Sequence, residues 1–254
     1  PSLGWGPSAA ARYLDQRTQA WLDWSRTARG QGTACVSCHT ALPYALARGD
    51  LGRLIGETAP PPAQQRLLQS VRTRVHFGTA LPPYYDGSMT AAARGTEAVL
   101  NALILTRQDQ AAGHDSAAAR AALEQMWALQ RTSGPEAGSW GWLQFNNEPW
   151  EASDSVYYGA ALAALAVGST SAAYRDQPSV QAGLARLRDY LLRTYPAQPL
   201  LNRIDLLWAA QNLPGLIPPS MQHAVIEQLW EGQRTDGGWN TAARWAGVKA
   251  LRSA

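Results

Sequence analysis

The chain has 254 residues, 46% of them hydrophobic and 16% charged, which suits a packed core in one large domain or two small ones and excludes a disordered polymer. Twenty-two Lys and Arg against 19 Asp and Glu give a net charge of +3, with Lys249 the only lysine, and this mild balance excludes the clustered basic stripe of a nucleic-acid binder. The longest apolar run, residues 156–168, is about 13 residues and falls short of the roughly 20 needed to cross a bilayer, so no transmembrane segment is expected.

The chain opens at Pro1 with neither a charged n-region nor an apolar h-region, so no signal peptide is visible in this numbering. After a Gly-rich turn, Arg29-Gly30-Gln31-Gly32, comes Cys35-Val36-Ser37-Cys38-His39, which contains the only two cysteines of the chain. C-x-x-C-H is the pattern of covalent haem attachment: two thiols form thioethers with the vinyl groups, and the adjacent imidazole binds the iron. With two Cys and four His in the chain, that order arises on the order of once in 10⁴ random shufflings. Zinc needs four ligands and would have to recruit a distant His. A thioredoxin-like redox pair needs a preceding strand, and none is expected here. A disulfide across so short a loop would stabilise little.

The expected cofactor is therefore one covalent haem c, held by Cys35 and Cys38 with His39 as the iron ligand. Tyr13, Trp21, Trp24 and Tyr44 are candidate pocket walls, and Arg48 and Arg53 are candidate propionate partners. For the sixth iron position His76 leads, followed by Met89; His114, Met126, Met221 and His223 are the other candidates. Because haem is joined to C-x-x-C-H outside the bacterial cytoplasm, the chain is expected in the periplasm or on the outer face of the cytoplasmic membrane, after a leader has been removed. It has no further thiols to test that placement.

From residue 91 on, the periodicity is helical. Thr96 to Arg107, Ala117 to Leu129, Ser153 to Val167, Ser179 to Tyr195, Leu200 to Leu213 and Ser220 to Gln233 are the expected helices. Ser116, Ser153 or Asp154, and Ser179 are the expected caps, and Gly168, Pro196 and Pro214-Gly215 the stops. No stretch alternates with period two. One internal repeat stands out: Glu124-Gln125-Met126-Trp127-Ala128-Leu129-Gln130-Arg131-Thr132 aligns with Glu227-Gln228-Leu229-Trp230-Glu231-Gly232-Gln233-Arg234-Thr235. Each copy is followed by a Gly and Trp turn, Gly138-Ser139-Trp140 and Gly237-Gly238-Trp239. Stacked helical hairpins are the implied architecture, and eleven Trp against two Phe suit indoles at repeated positions. Residues 1–90 are expected to form a haem-attachment region packed on an array spanning residues 91–254. The acidic run Glu148, Glu151 and Asp154 enters a helix, where the helix dipole accounts for carboxylates more readily than glycoside hydrolysis does.

The Gln130 to Trp140 and Gln233 to Trp239 segments resemble the Gln-Trp motifs of squalene-hopene cyclases and their prenyltransferase-like relatives. Trp140-Gly141-Trp142-Leu143, Glu148-Pro149-Trp150-Glu151, Tyr157-Tyr158-Gly159-Ala160 and the stretch from Cys35 to Arg48 resemble the haem-bearing, cyclase-like members of that group. The resemblance implies an all-α fold, an α/α toroid in the form of a partial or open barrel of helical hairpins with an N-terminal haem-binding extension, in which Gln and Trp tie adjacent hairpins together. Cyclase activity is not expected, because the Asp-x-Asp-Asp-Thr-Ala acid motif of the cyclases is absent. The zinc-binding Cys of the prenyltransferases has no counterpart outside the haem motif. Relatives continue with a further hairpin beyond the second Gly-Gly-Trp, so the toroid is expected to be open or the sequence incomplete.

The expected function is that of a monohaem c-type cytochrome transferring electrons to a redox protein partner or a membrane electron-transfer complex. A haem enzyme or sensor with an open iron site is the alternative, and a module binding an isoprenoid or a protein partner is the third reading.

Overall fold

The structure is a computed structural model and describes residues 6–239. It is all-helical: ten α-helices are present among the described residues, and the only β pairing there is two isolated bridges, Ala28 with Ala34 and Asn147 with Glu151. The chain divides into two compact units, residues 1–126 and 127–254.

The first unit contains α1 (Pro7–Asp23), α2 (Ala41–Leu54), α3 (Pro62–Phe77), α4 (Thr90–Ala112) and most of α5 (Ala117–Ala128). Pro7 and Pro62 stand at the first helical positions of α1 and α3, where the missing N–H has no intrahelical partner to lose and the ring presets φ. Helix α4 is buried almost all round between Ala93 and Thr106 and packs against α2 and α3, which in turn pack on α1. It ends at Gly113, whose φ of 70° provides a left-handed C-terminal cap. The Ser116 hydroxyl then accepts from the Ala119 amide at 3.1 Å and caps α5.

Two ion clusters, each centred on a buried arginine, tie the first unit together. Arg48, 1% exposed, donates to Asp15 of α1 and to Glu57 in the turn before α3, with N···O distances of 2.7–3.0 Å. Tyr44, one turn earlier on α2, donates its hydroxyl to the same Asp15 at 2.8 Å. Burial, followed by the Asp15 carboxylate, pushes the Tyr44 phenol up, and the Arg48 hydrogen bonds hold the Glu57 carboxyl below its ordinary range. Gly52 is where this cluster passes closest to α2, since a Cβ there would lie 2.8 Å from Glu57 Oε2 and 3.0 Å from Arg48 Nη1. The second cluster is centred on Arg74 of α3, which is ion-paired with Glu97 of α4, both buried.

The second unit contains α6 (Ser155–Gly168), α7 (Ala172–Arg175), α8 (Pro178–Thr194), α9 (Leu200–Asn212) and α10 (Pro219–Glu231). Every residue of α6 is buried, as expected of a helix apolar all round. It packs mainly on α9 and also on α8, and α9 packs on α10. Indoles seated on glycines account for part of the tryptophan bias. The Trp142 ring occupies the space a Cβ of Gly159 would need, at 2.2 Å, and the Trp127 ring does the same over Gly183 at 2.8 Å.

The two copies of the repeat form the same turn. Gln130 Nε2 donates to Gly138 O, as Gln233 Nε2 does to Gly237 O. The Arg131 amide bonds Ser139 O at 2.8 Å, and the Arg234 amide bonds Gly238 O at 2.9 Å. Trp127 and Trp140 lie 5.8 Å apart at 48°, and Trp230 and Trp239 lie 6.2 Å apart at 48°. Gln130 Nε2 also donates to Gly183 O of α8 at 3.0 Å, so the glutamine links its own turn to α8.

Asp205 of α9 has neither an ion-pair nor a hydrogen-bond partner among the described residues, and burial pushes its carboxyl up to about 7. Because the folded value lies above the unfolded one, the native state holds the extra proton. The contribution of this carboxyl to stability is fully present below about pH 4 and is lost as pH rises through 7. Asp205→Asn is expected to remove this slope and to stabilise the protein at pH 8 by on the order of 2 kcal/mol, with little change at pH 4; urea titrations at the two pH values measure the difference.

Candidate cofactor site

The pentapeptide sits in an irregular loop between the short 3₁₀ turn at Ser25–Thr27 and the start of α2. Gly30, Gln31 and Gly32 all have positive φ, at 80°, 50° and 68°, and let the chain reverse so that Ala34 bridges to Ala28. The loop is then fastened from several sides. The Cys35 amide donates to Thr27 O at 2.8 Å and the Ala34 amide to Ser70 Oγ of α3 at 3.0 Å. Trp21 Nε1 donates to Cys35 O at 2.8 Å. Beyond Cys35, Ser37 accepts the Thr40 amide on its hydroxyl and the Leu42 amide on its carbonyl, which leads the chain into α2.

Residues 33–38 are buried and His39 is exposed. Cys35 and Cys38 are 8% and 1% exposed, and Cys35 Sγ lies 3.7 Å from Val36 O. The His39 ring meets the Trp21 indole edge to face, with centroids 6.3 Å apart at 76°. Trp21 in turn meets Trp24 at 5.8 Å and 64°, and Trp24 is 49% exposed with the Arg26 guanidinium 6.0 Å from its ring centroid. The imidazole thus lies at the surface beside Trp21, while the two thiols are buried.

Under the loop is the Arg74 cluster. Arg74 donates to Glu97, to Arg29 O and Thr33 Oγ1 at 3.1 Å each, and to Pro82 O at 2.7 Å. Its guanidinium also lies 4.7 Å over the Tyr84 ring. The Tyr84 phenol is pushed well above its ordinary value, first by burial and then by Glu97 and the Cys35 sulfur. Arg29 donates Nε to Tyr84 O at 2.8 Å, closing the cluster around the loop.

The structure brings some of the expected residues together and sets others apart. Trp21 does flank His39, and Trp24 packs on Trp21. Tyr44 and Arg48 are buried and committed to Asp15 and Glu57, so they fix α2 behind the motif, and a propionate would have to displace those carboxylates. Arg53 pairs with Asp50 on the surface, and Tyr13 is 61% exposed. His76 is exposed in the last turn of α3, with its ring 5.0 Å from that of Phe77; it lies six residues beyond Ser70, about 9 Å along the helix. Met89 is 37% exposed and Met126 fully buried. His114 lies near Asp109, and His223 near Glu227, each at 3.5 Å. Asp15, Ser70, Arg74 and Tyr84, which position the loop, carry no local motif; only their partners, 33 or more residues away in several cases, reveal them.

The donor set fits a covalently held haem. Two thiols and one imidazole lie within five residues, and the imidazole is the exposed member. Among the described residues no three His, Cys, Asp or Glu side chains form a group able to hold a metal ion, so the pentapeptide does not present its ligands as one chelating cluster. No family model, curated protein or solved structure matches the chain.

Proposed function

We propose that the chain is a monohaem c-type cytochrome, built on a cyclase-like α/α toroid of helical hairpins and acting in electron transfer outside the cytoplasm. The observation that carries this reading is the C-x-x-C-H pentapeptide with His39 exposed beside Trp21, on which Trp24 packs. Cys35 and Cys38 are the attachment points and His39 the iron ligand, and when bound the haem supplies one-electron exchange between ferric and ferrous iron. The chain's own part is to orient these groups. Trp21 holds the Cys35 carbonyl and supports one edge of the imidazole, while Tyr44 and Arg48 anchor α2 to α1 so that His39 enters at a fixed angle. The exposed Trp24 beside Arg26 offers an edge at which a redox partner or a membrane electron-transfer complex docks. The scaffold carries no cyclase chemistry in this reading.

Expression in the periplasm together with a c-type maturation system is expected to yield haem that stays with the polypeptide through denaturing electrophoresis. Cys35→Ser with Cys38→Ser is expected to abolish that signal while helical content, read by circular dichroism, persists. Wild-type protein that matures without covalent haem refutes the reading. Carbon monoxide added to the reduced protein separates the two haem readings: an unchanged spectrum fits an electron carrier with both axial positions filled, and a rapid shift fits an enzyme or sensor with an open iron site.

A further inference from the structure

The first unit carries a second feature that the haem reading does not use, an open cleft of about 670 Å³ between α2, α3 and the C-terminal half of α4. That volume lies within the range of roughly 300–1,000 Å³ common for small-molecule sites. Its floor is apolar and buried, formed by Leu67 and Leu68 of α3 and Ile104 of α4. The α2 wall is low because Gly49 has no side chain there.

The polar groups above this floor are unevenly committed. A Cβ built on Gly49 would meet Gln64 Nε2 at 3.8 Å and Arg53 Nη1 at 3.9 Å, so two donors approach one point over the glycine. Arg53 gives Nη2 to Asp50 and keeps Nη1, and the Gln64 amide makes no hydrogen bond to the protein. Arg107, on the opposite side, gives Nη1 to Gln110 and keeps its other nitrogens. The two carboxylates of the lining, Asp50 and Glu57, are already paired with Arg53 and Arg48. Arg48 is saturated by Asp15 and Glu57 and Arg53 is paired with Asp50, so Arg107 is the lining arginine that has no carboxylate partner among the described residues, and Arg53 Nη1 and Gln64 Nε2 are further open donors.

We infer that this cleft binds an organic anion with an apolar tail. The anionic head is received by Arg53 Nη1 and Gln64 Nε2, where a charge-assisted bond outweighs a neutral one, and the tail lies over Leu67, Leu68 and Ile104, displacing water from apolar surface. The inference does not require haem attachment, since the cleft's lining contains no residue of the pentapeptide, although it includes Arg48 and Arg53, the arginines expected from the sequence to meet the propionates.

Isothermal titration of the full chain with decanoate, decyl phosphate and decyltrimethylammonium, all below micelle-forming concentrations, tests it. At least one of the two anions is expected to bind saturably at one site, the tighter of them naming the head group, while the cation of equal chain length does not. Arg53→Gln, a surface change, is expected to weaken anion binding about tenfold. Gly49→Leu, which fills the cleft from the α2 side, is expected to abolish it, with thermal unfolding checked on the same sample. Absence of saturable anion binding, equal binding of the cation, or anion binding unchanged in Arg53→Gln overturns the inference.

Discussion

Gly138→Ala is expected to destabilise the second unit by about 4 kcal/mol, the largest single effect of any substitution in the repeat turns. Two costs coincide there. Gly138 has a φ of 97°, a conformation that L residues adopt only under strain. A Cβ would also lie 2.1 Å from the carbonyl oxygen of Arg186 and 2.8 Å from Tyr190 Cβ, so α8 would have to move away from the turn. Moving α8 breaks the bond from Gln130 Nε2 to Gly183 O and the one from Arg186 Nε to Gln130 Oε1 at 3.1 Å. Two other glycines separate the costs. Gly134 and Gly237 also have positive φ, 78° and 80°, but a Cβ at either meets nothing within 4 Å. Alanine at those positions is expected to cost only about 1 kcal/mol, the backbone share alone. Chemical denaturation of the three single variants measures the difference, and equal losses would show that the approach of α8 to the turn carries no weight.

What the sequence made legible follows from how local each signal is. The helical stretches from Thr96 to Gln233 agree with α4, α5, α6, α8, α9 and α10 apart from their ends, since apolar spacing within one helix is recorded in consecutive residues. The ends moved where a proline took precedence over a hydroxyl: α8 begins at Pro178 with Gln177 in the cap position, not at Ser179. The repeat was legible because the same glutamine and tryptophan close the same turn twice. Its partner in space, Gly183, was not, because nothing near Gln130 in the sequence points to it. The region before residue 90, expected as a haem-attachment extension without assigned helices, contains α1, α2 and α3. Apart from Gly49 and Gly52 within α2, its described glycines and prolines fall at helix entries and turns, and Pro43 sits in the first turn of α2, where no intrahelical N–H bond is lost. The pentapeptide could be read directly, since its chemistry is contained in five residues. Its support could not, because Asp15 with Arg48, Ser70 with Ala34, and Arg74 with Thr33 are pairings that only the tertiary fold makes.

Arg74→Met is expected to destabilise the first unit by about 3–5 kcal/mol, because it removes one member of a buried ion pair and leaves the other without compensation. Glu97 would retain only Arg94, at 4.0 Å, and its carboxylate would favour protonation. The loss is therefore expected to be larger at pH 8 than at pH 5, since a carboxyl raised above its unfolded value lowers stability as pH climbs through that interval. Arg74→Met with Glu97→Gln removes the orphaned charge and is expected to recover about half of the loss. It does not recover all of it, because Arg29 O, Thr33 Oγ1 and Pro82 O still lack their donor. Arg29 and Thr33 precede the segment that carries Cys35 and Cys38, so much of the residual cost falls on the candidate site. Hydrogen exchange at residues 33–38 is expected to quicken in the double variant while exchange in α6 and α9 stays unchanged. An equal rise throughout both units would mean that Arg74 supports the fold in general and has no particular hold on the loop.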